Sequence, residues 1–224
     1  MLLCDLGVAN YEVVHDLQLR LVDEVKEGLI RDGICLLVEH PSVFTLGKNS
    51  DQKHLGVNSS FLREKNISLV RVERGGEVTY HGPGQLILYP VFHLKRGGFS
   101  VRDYVTRLEE VMLKVLSDYF LVARRDIRNP GVWINEKKIG SLGICIRRSV
   151  TFHGFSINVN VDLEPFSWIT PCGLPDVIMT SMKEVLNQYV CMEQFKSSVI
   201  KNFKESFGVS FEYVSRLELV GLLK

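Results

Sequence analysis

The sequence predicts an α+β fold, and three observations carry the prediction. Short apolar or alternating runs that read as strands come in groups with few helices between them, whereas a doubly wound parallel sheet would alternate strand and helix. Longer segments at 11–31, 101–120 and 192–206 carry apolar residues at three- and four-residue steps, the mark of amphipathic helices. No Pro-, Gly- or Ser-rich linker, internal repeat or low-complexity tract divides the 224 residues, so a single domain, 1–224, with ample core is expected.

Taken in order, the first helix carries Val14, Leu17, Leu21, Val25 and Leu29 on one stripe, with Asn10 as N-cap and Gly33 closing its end. The run 34–39 is short and apolar and reads as a buried strand, ended by His40-Pro41 because proline restricts the residue before it. Residues 43–47 read as a second strand, and the polar stretch 48–66 as a loop with a helical turn near 59–64. Strands follow at 67–73, 78–80 and 86–94. Ser100 caps a helix with Tyr104, Leu108, Val111, Val115 and Tyr119 on its apolar face. A hairpin joins 131–134 to 138–146 through Asn135-Glu136-Lys137, and 151–161 continues the sheet. A short helix at 164–169, the third amphipathic helix with Phe195, Val199, Phe203 and Phe207 in step, and an edge strand at 209–214 complete the chain. The first residues are read as a mobile terminus.

Composition excludes several classes. At 46% hydrophobic and 24% charged the chain is neither disordered nor fibrous. A net charge of +1 without a long basic block argues against nucleic acid; Arg124-Arg125 with Arg128, and Arg147-Arg148, are local clusters that suit a solvated face or an acidic protein partner. No apolar run is long enough for a membrane span, and the N-terminus resembles neither a signal peptide nor a transit peptide. Five scattered cysteines (Cys4, Cys35, Cys145, Cys172, Cys191) suit reduced thiols in a cytoplasm rather than a disulfide framework. Cys-x-x-Cys pairs and His/Cys ligand spacing are missing, so no metal and no cofactor are expected.

Two segments carry the chemistry. The first is Arg74-Gly75-Gly76-Glu77-Val78-Thr79-Tyr80-His81-Gly82-Pro83-Gly84-Gln85, whose glycines let a ligand approach the backbone. It matches no phosphate-binding loop. The second runs from Lys138 through His153-Gly154 to Pro171-Cys172-Gly173. Cys35 and Cys145 lie in apolar strands and read as small buried hydrophobes, and Cys191 begins a helix. Cys172 lies in a turn, where proline fixes the approach and glycine leaves sulfur unshielded. A reactive thiol needs a lowered pKa, which a cation or a histidine supplies; Lys138, His81 and His153 all qualify on sequence.

These segments resemble the lipoyl(octanoyl) transferases of the biotin/lipoate ligase-like superfamily. The resemblance rests on four blocks in register: 74–86, Lys138-Ile139-Gly140-Ser141-Leu142-Gly143-Ile144, 152–163, and Pro171-Cys172-Gly173-Leu174. Together they span roughly residues 70 to 185, well beyond what single short motifs offer. It implies a mixed, mostly antiparallel sheet with helices packed on it. It also implies transfer of an octanoyl group from octanoyl-acyl carrier protein to a lysine of lipoyl domains in 2-oxoacid dehydrogenase complexes and the glycine cleavage H protein. By the same resemblance Cys172 is the nucleophile, Lys138 lowers its pKa, and Arg74 to His81, Ser141, Leu142, Gly143, Gly154, Phe155 and Ser156 line the acyl pocket. Tyr80, Leu142 and Phe155 are candidates for its apolar walls, against ordinary core packing. Rival readings are an ATP-dependent lipoate or biotin ligase on the same fold, which the missing Gly-Arg-Gly-Arg-type loop disfavours; a non-catalytic acyl-carrier-binding module; and a papain-like hydrolase.

Overall fold

The computed structural model describes residues 1–48, 50, 54–126, 129–170 and 177–223. Its elements are β1 (Leu2–Val8), α1 (Tyr11–Glu27), β2 (Ile34–Glu39), β3 (Val43–Leu46), α2 (Ser59–Glu64), β4 (Ser68–Arg71), β5 (Val78–His81), β6 (Gln85–Val91), α3 (Val101–Ser117), β7 (Arg124–Arg125), β8 (Gly131–Ile134), β9 (Lys137–Arg147), β10 (Val150–Asn158), a tight 3₁₀ turn (Glu164–Trp168), β11 (Ile178–Met179), α4 (Met182–Leu186), α5 (Met192–Phe207), β12 (Glu212–Tyr213) and α6 (Arg216–Leu222).

Among the described residues, one sheet runs in the order β12-β1-β2-β6-β10-β9-β8-β7, with β11 also paired to β9. From β2 to β7 every neighbouring pair is antiparallel; the pairs β12/β1, β1/β2 and β11/β9 are parallel. This is the mixed, mostly antiparallel α+β arrangement expected. A second, smaller sheet, β4-β3-β5, stands beside it.

The two-residue period of a strand sorts the core into layers. On β2, Cys35 and Leu37 pack on one face with Tyr104, Leu108 and Val111 of α3 and Phe195, Val199 and Phe203 of α5. Ile34, Leu36 and Val38 face the other way, onto Val14, Leu21, Val22 and Val25 of α1 and Leu219 of α6. A third cluster joins the small sheet (Phe44, Leu46, Val78, Tyr80) to Trp133, Phe166 and Met179.

Helix ends follow local chemistry. Asn10 caps α1 through its side chain, which accepts from the N–H groups of Glu12 and Val13. Ser100 and Asp103 form a reciprocal capping box on α3. Three expectations are corrected here. α1 stops at Gly28, not near residue 31: Gly28 takes a left-handed φ of 89°, its N–H returns to Glu24 and Val25, and Leu29 is left exposed. α3 stops at Ser117, since Phe120 turns left-handed (φ 59°) into solvent. The first residues are not a loose end; they form β1, held between β2 and β12, with Cys4 buried.

Candidate active site

The glycine-rich loop is held from behind by Arg74. Its guanidinium donates to the Thr45 carbonyl (2.7 Å), to the Thr45 hydroxyl (2.7 Å) and to the Gly75 carbonyl (3.1 Å). The N–H groups of Lys48 and Gly47 reach the carbonyls of Arg74 (3.0 Å) and Glu77 (3.2 Å), so β3 and the residues after it grip the loop along its length. In front, the Gly75 N–H donates to the Ile144 carbonyl on β9 at 3.0 Å. A side chain at Gly143 would place a Cβ 3.1 Å from the Gly75 carbonyl, so the loop and β9 meet backbone to backbone. That contact closes the sequence gap between the two chemistry-bearing segments.

The floor is the β9–β10 ladder. Its register sets Gly143 opposite Gly154, Leu142 opposite Phe155 and Ser141 opposite Ser156, so two stretches named from sequence are cross-strand partners. Gly154 is required: a Cβ there would stand 2.0 Å from the Leu88 carbonyl of β6. Lys138 enters at the start of β9 and is fully buried. Its ammonium donates to the Asn129 side-chain oxygen and lies 5.6 Å from the centre of the Trp133 ring. Both contacts offset the cost of burying a cation.

These elements enclose a cavity of about 230 Å³. Of the sequence-predicted residues, Arg74, Gly75, Gly76, Glu77, Val78, Thr79, His81, Lys138, Ser141, Leu142, Gly143, Gly154, Phe155 and Ser156 all line it. Tyr80 does not. Of the four β5 residues, Val78, Thr79 and His81 line the cavity, while Tyr80 packs in the core between Phe44 and Phe166, its hydroxyl 2.9 Å from that of Ser42. Cys172 lies outside the described residues. Cys145, read as a buried strand residue, is only half-buried. Sequence reasoning missed Tyr11, Ile87, Tyr89, Val105, Asn129, Pro130 and Ile144 as lining residues and had His153 only as a possible thiol partner.

His81 is held neutral. Burial, with His40 close by, pushes its pKa down to about 3. The orientation of Gln85 fixes its tautomer: the Gln85 amide donates to the Tyr80 carbonyl (3.2 Å) and to Asn158 (2.9 Å), so its oxygen accepts from His81 Nδ1 at 2.6 Å. Asn158 in turn donates to the Thr180 carbonyl (2.9 Å), and the Thr180 N–H donates to the Lys138 carbonyl (2.9 Å). A histidine in that state cannot be the cation of a thiolate pair.

Described residues before and after 171–176 are tied to two residues that line the cavity, Glu77 and Lys138. Before it, the Thr170 N–H donates to the His54 carbonyl (2.9 Å), and the His54 ring meets the Glu77 carboxylate at 3.2 Å. After it, β11 pairs with β9 so that Met179 stands opposite Lys138.

The family model of the lipoyl protein ligase A/B catalytic domain matches residues 10–204. The chain belongs to this family. It is 42% identical to an octanoyltransferase of Desulfotalea psychrophila, over 97% of this chain and 98% of that one. An octanoyltransferase of Caldicellulosiruptor bescii is 39% identical, over 99% and 97%. In fold it is similar to a bipartite lipoate protein ligase solved with its E2 lipoyl domain from Thermoplasma acidophilum, with a TM-score of 0.75 and 18% identity, covering 99% of this chain and 89% of that one.

Basic pairs on this lipoyl protein ligase A/B domain differ in availability. Arg124 is paired with Asp126 (2.9 Å) and Glu136 (2.9 Å), and Arg125 with Glu109 (3.1 Å) and Glu110 (2.9 Å). These arginines pin the edge strand β7 rather than standing open to an acidic partner. Arg147 and Arg148, at the β9–β10 turn, are exposed. No helix among the described residues is long and apolar enough to cross a membrane.

Proposed function

We propose that this chain is a single-domain octanoyltransferase that moves an octanoyl group from octanoyl-acyl carrier protein to a lysine of a lipoyl domain through a thioester on Cys172. The observation that carries the reading is the anchoring of both flanks of 171–176 on the cavity: Thr170 through His54 to Glu77, and Met179 beside Lys138. These contacts bring described residues that flank Cys172 in sequence to Glu77 and Lys138 of the cavity lining, which supports Cys172 as the partner of Lys138. The names of the near full-length relatives support the acyl group and the reaction class.

Chemically, the Cys172 thiolate attacks the donor thioester, and the carrier thiolate is expelled and takes a proton from the Lys138 ammonium, leaving Lys138 as an amine. The incoming lysine amine then attacks the Cys172 thioester, and the Cys172 thiolate is expelled as the amide forms. Lys138, as an ammonium, holds the thiolate; as an amine it receives the proton shed by the attacking lysine. Thioester-to-amide transfer runs downhill without ATP. Leu142 and Phe155 supply apolar wall for the chain, and backbone N–H groups of the glycine-rich loop suit the tetrahedral oxyanion, where one donor is worth on the order of 3 kcal/mol. Lipoyl domains of 2-oxoacid dehydrogenase complexes and the glycine cleavage H protein are the acceptors in this reading. We place the reaction in the cytoplasm, where scattered thiols stay reduced.

The test is a transfer assay with purified octanoyl-acyl carrier protein and an apo lipoyl domain. Octanoylated lipoyl domain without any nucleotide is expected. Modification only when free octanoate and ATP are supplied would overturn the reading in favour of a ligase.

A further inference from the structure

The transfer reaction leaves one buried histidine on β10 without a task. His153 is 1% exposed and takes a left-handed φ of 57°. Among the described residues neither of its ring nitrogens has a hydrogen-bond partner. An imidazole buried with both nitrogens unmet is costly, and such a group marks a missing water or ion. Two further ligand side chains stand beside it. The His15 ring of α1 stacks on it with centroids 5.5 Å apart, and His15 Nε2 lies 2.9 Å from Glu73 Oε2.

One ligand atom from each of His15, Glu73 and His153 lies within 4.8 Å of the other two. In a tetrahedral shell with bonds of about 2.0–2.2 Å, ligand atoms stand roughly 3.4 Å apart, so a side-chain adjustment closes the set. The Glu73 side chain is 52% exposed and has the freedom to make it. We propose that His15, Glu73 and His153 form a binding site for a zinc-class transition-metal ion, with a remaining position left for water. Two imidazoles and one carboxylate suit Zn²⁺ and its first-row neighbours rather than Mg²⁺ or Ca²⁺, which take mostly oxygen ligands. The backbone of His153 is itself positioned, its N–H donating to Gln18 Oε1 at 2.7 Å. The three ligands come from α1, from the residue preceding Arg74, and from β10. A bound ion therefore clamps the entry of the glycine-rich loop to the sheet. The sequence separations, 58 between His15 and Glu73 and 80 between Glu73 and His153, match no ligand motif and hid the site from a linear reading.

The experiment uses the full chain, stripped with chelator, in a Cys172→Ser, Cys191→Ser background so that thiols do not capture the probe. Co²⁺ is titrated and followed by its visible absorption, then displaced with Zn²⁺. One equivalent is expected to bind without a thiolate charge-transfer band, and Zn²⁺ in excess is expected to raise Tm by several degrees. His15→Ala and Glu73→Gln, each checked for folding by circular dichroism, are expected to weaken binding at least tenfold. The proposal is overturned by absence of stoichiometric binding, or by both variants binding as tightly as the parent; His15–Glu73 is then a plain hydrogen bond and His153 a hydrated one. The readout is binding, so its outcome is independent of whether octanoyl transfer occurs.

Discussion

Lys138 shows what a single residue's surroundings decide. A lysine at a hairpin turn is usually solvated, and its neighbour Lys137 behaves so, pairing with Glu184 at the surface. Lys138 points inward instead, is fully buried, and is met by Asn129 and the Trp133 ring. In the proposed mechanism Lys138→Met, which keeps the volume and removes the amine, lowers kcat/KM by about 100-fold or more while the protein still folds; steady-state kinetics beside a melting curve check this. An unchanged rate would remove Lys138 from the chemistry. The glycine-rich stretch was legible because glycine and histidine at that density serve no core, whereas the site roles of Lys138 and Ser141 came from the family resemblance. Tyr80 falls outside the cavity lining because a resemblance marks a whole stretch, whereas the Tyr80 ring finds its partners in Phe44 and Phe166 of the core. Asn129 carried only the turn signal of Asn129-Pro130-Gly131, which says nothing of the partner its side chain finds.

Elements were legible where a period repeats over many residues. The cores of α1, α3 and α5 and the β8–β9–β10 run all stand where apolar spacing put them. β7 and β11, two residues each, have no period to read and exist through their partners β8 and β9. α4 and α6 did carry a signal: Ser181 with Glu184 and Ser215 with Glu218 each have the three-residue spacing of a capping box, and both serines cap their helices. The tightest constraint at this scale is Gly154, where a Cβ meets the Leu88 backbone carbonyl and nothing flexible can yield. Gly154→Ala therefore separates β6 from β10 and is expected to cost about 2–3 kcal/mol, lowering Tm by roughly 4–12 °C. A melting temperature within a degree of the parent would show that the ladder relaxes there.

Across the whole molecule, the buried neutral histidines His40 and His81 couple stability to pH. Burial pushes the His40 pKa from 6.5 to about 4, while its ring bonds the Ala9 carbonyl at 2.7 Å and the Tyr89 hydroxyl at 3.1 Å. His81 falls to about 3 for the same reason. Below pH 6.5 the unfolded chain takes up protons that the folded chain refuses, so stability falls as pH drops from 6.5 towards 4 and on towards 3. His40 alone accounts for on the order of 3 kcal/mol across its window. The urea midpoint is expected to be lower at pH 4.5 than at pH 7.5 by an amount that shrinks in His40→Gln; equal midpoints would mean that water reaches these rings. The α+β class was legible from the grouping of strands, but the placement of β1 between β2 and β12 was not, since the first residues were not read as a strand and β12 lies at the other end of the sequence.

The central claim of the proposed function is that the octanoyl group passes through a thioester on Cys172. Intact-mass spectrometry of the enzyme after exposure to octanoyl-acyl carrier protein, without acceptor, measures that claim most directly. One octanoyl group per chain is predicted, mapped by peptide analysis to Cys172, lost on adding apo lipoyl domain, and missing in Cys172→Ser. An adduct on another cysteine, or none while the lipoyl domain is still modified, would contradict it.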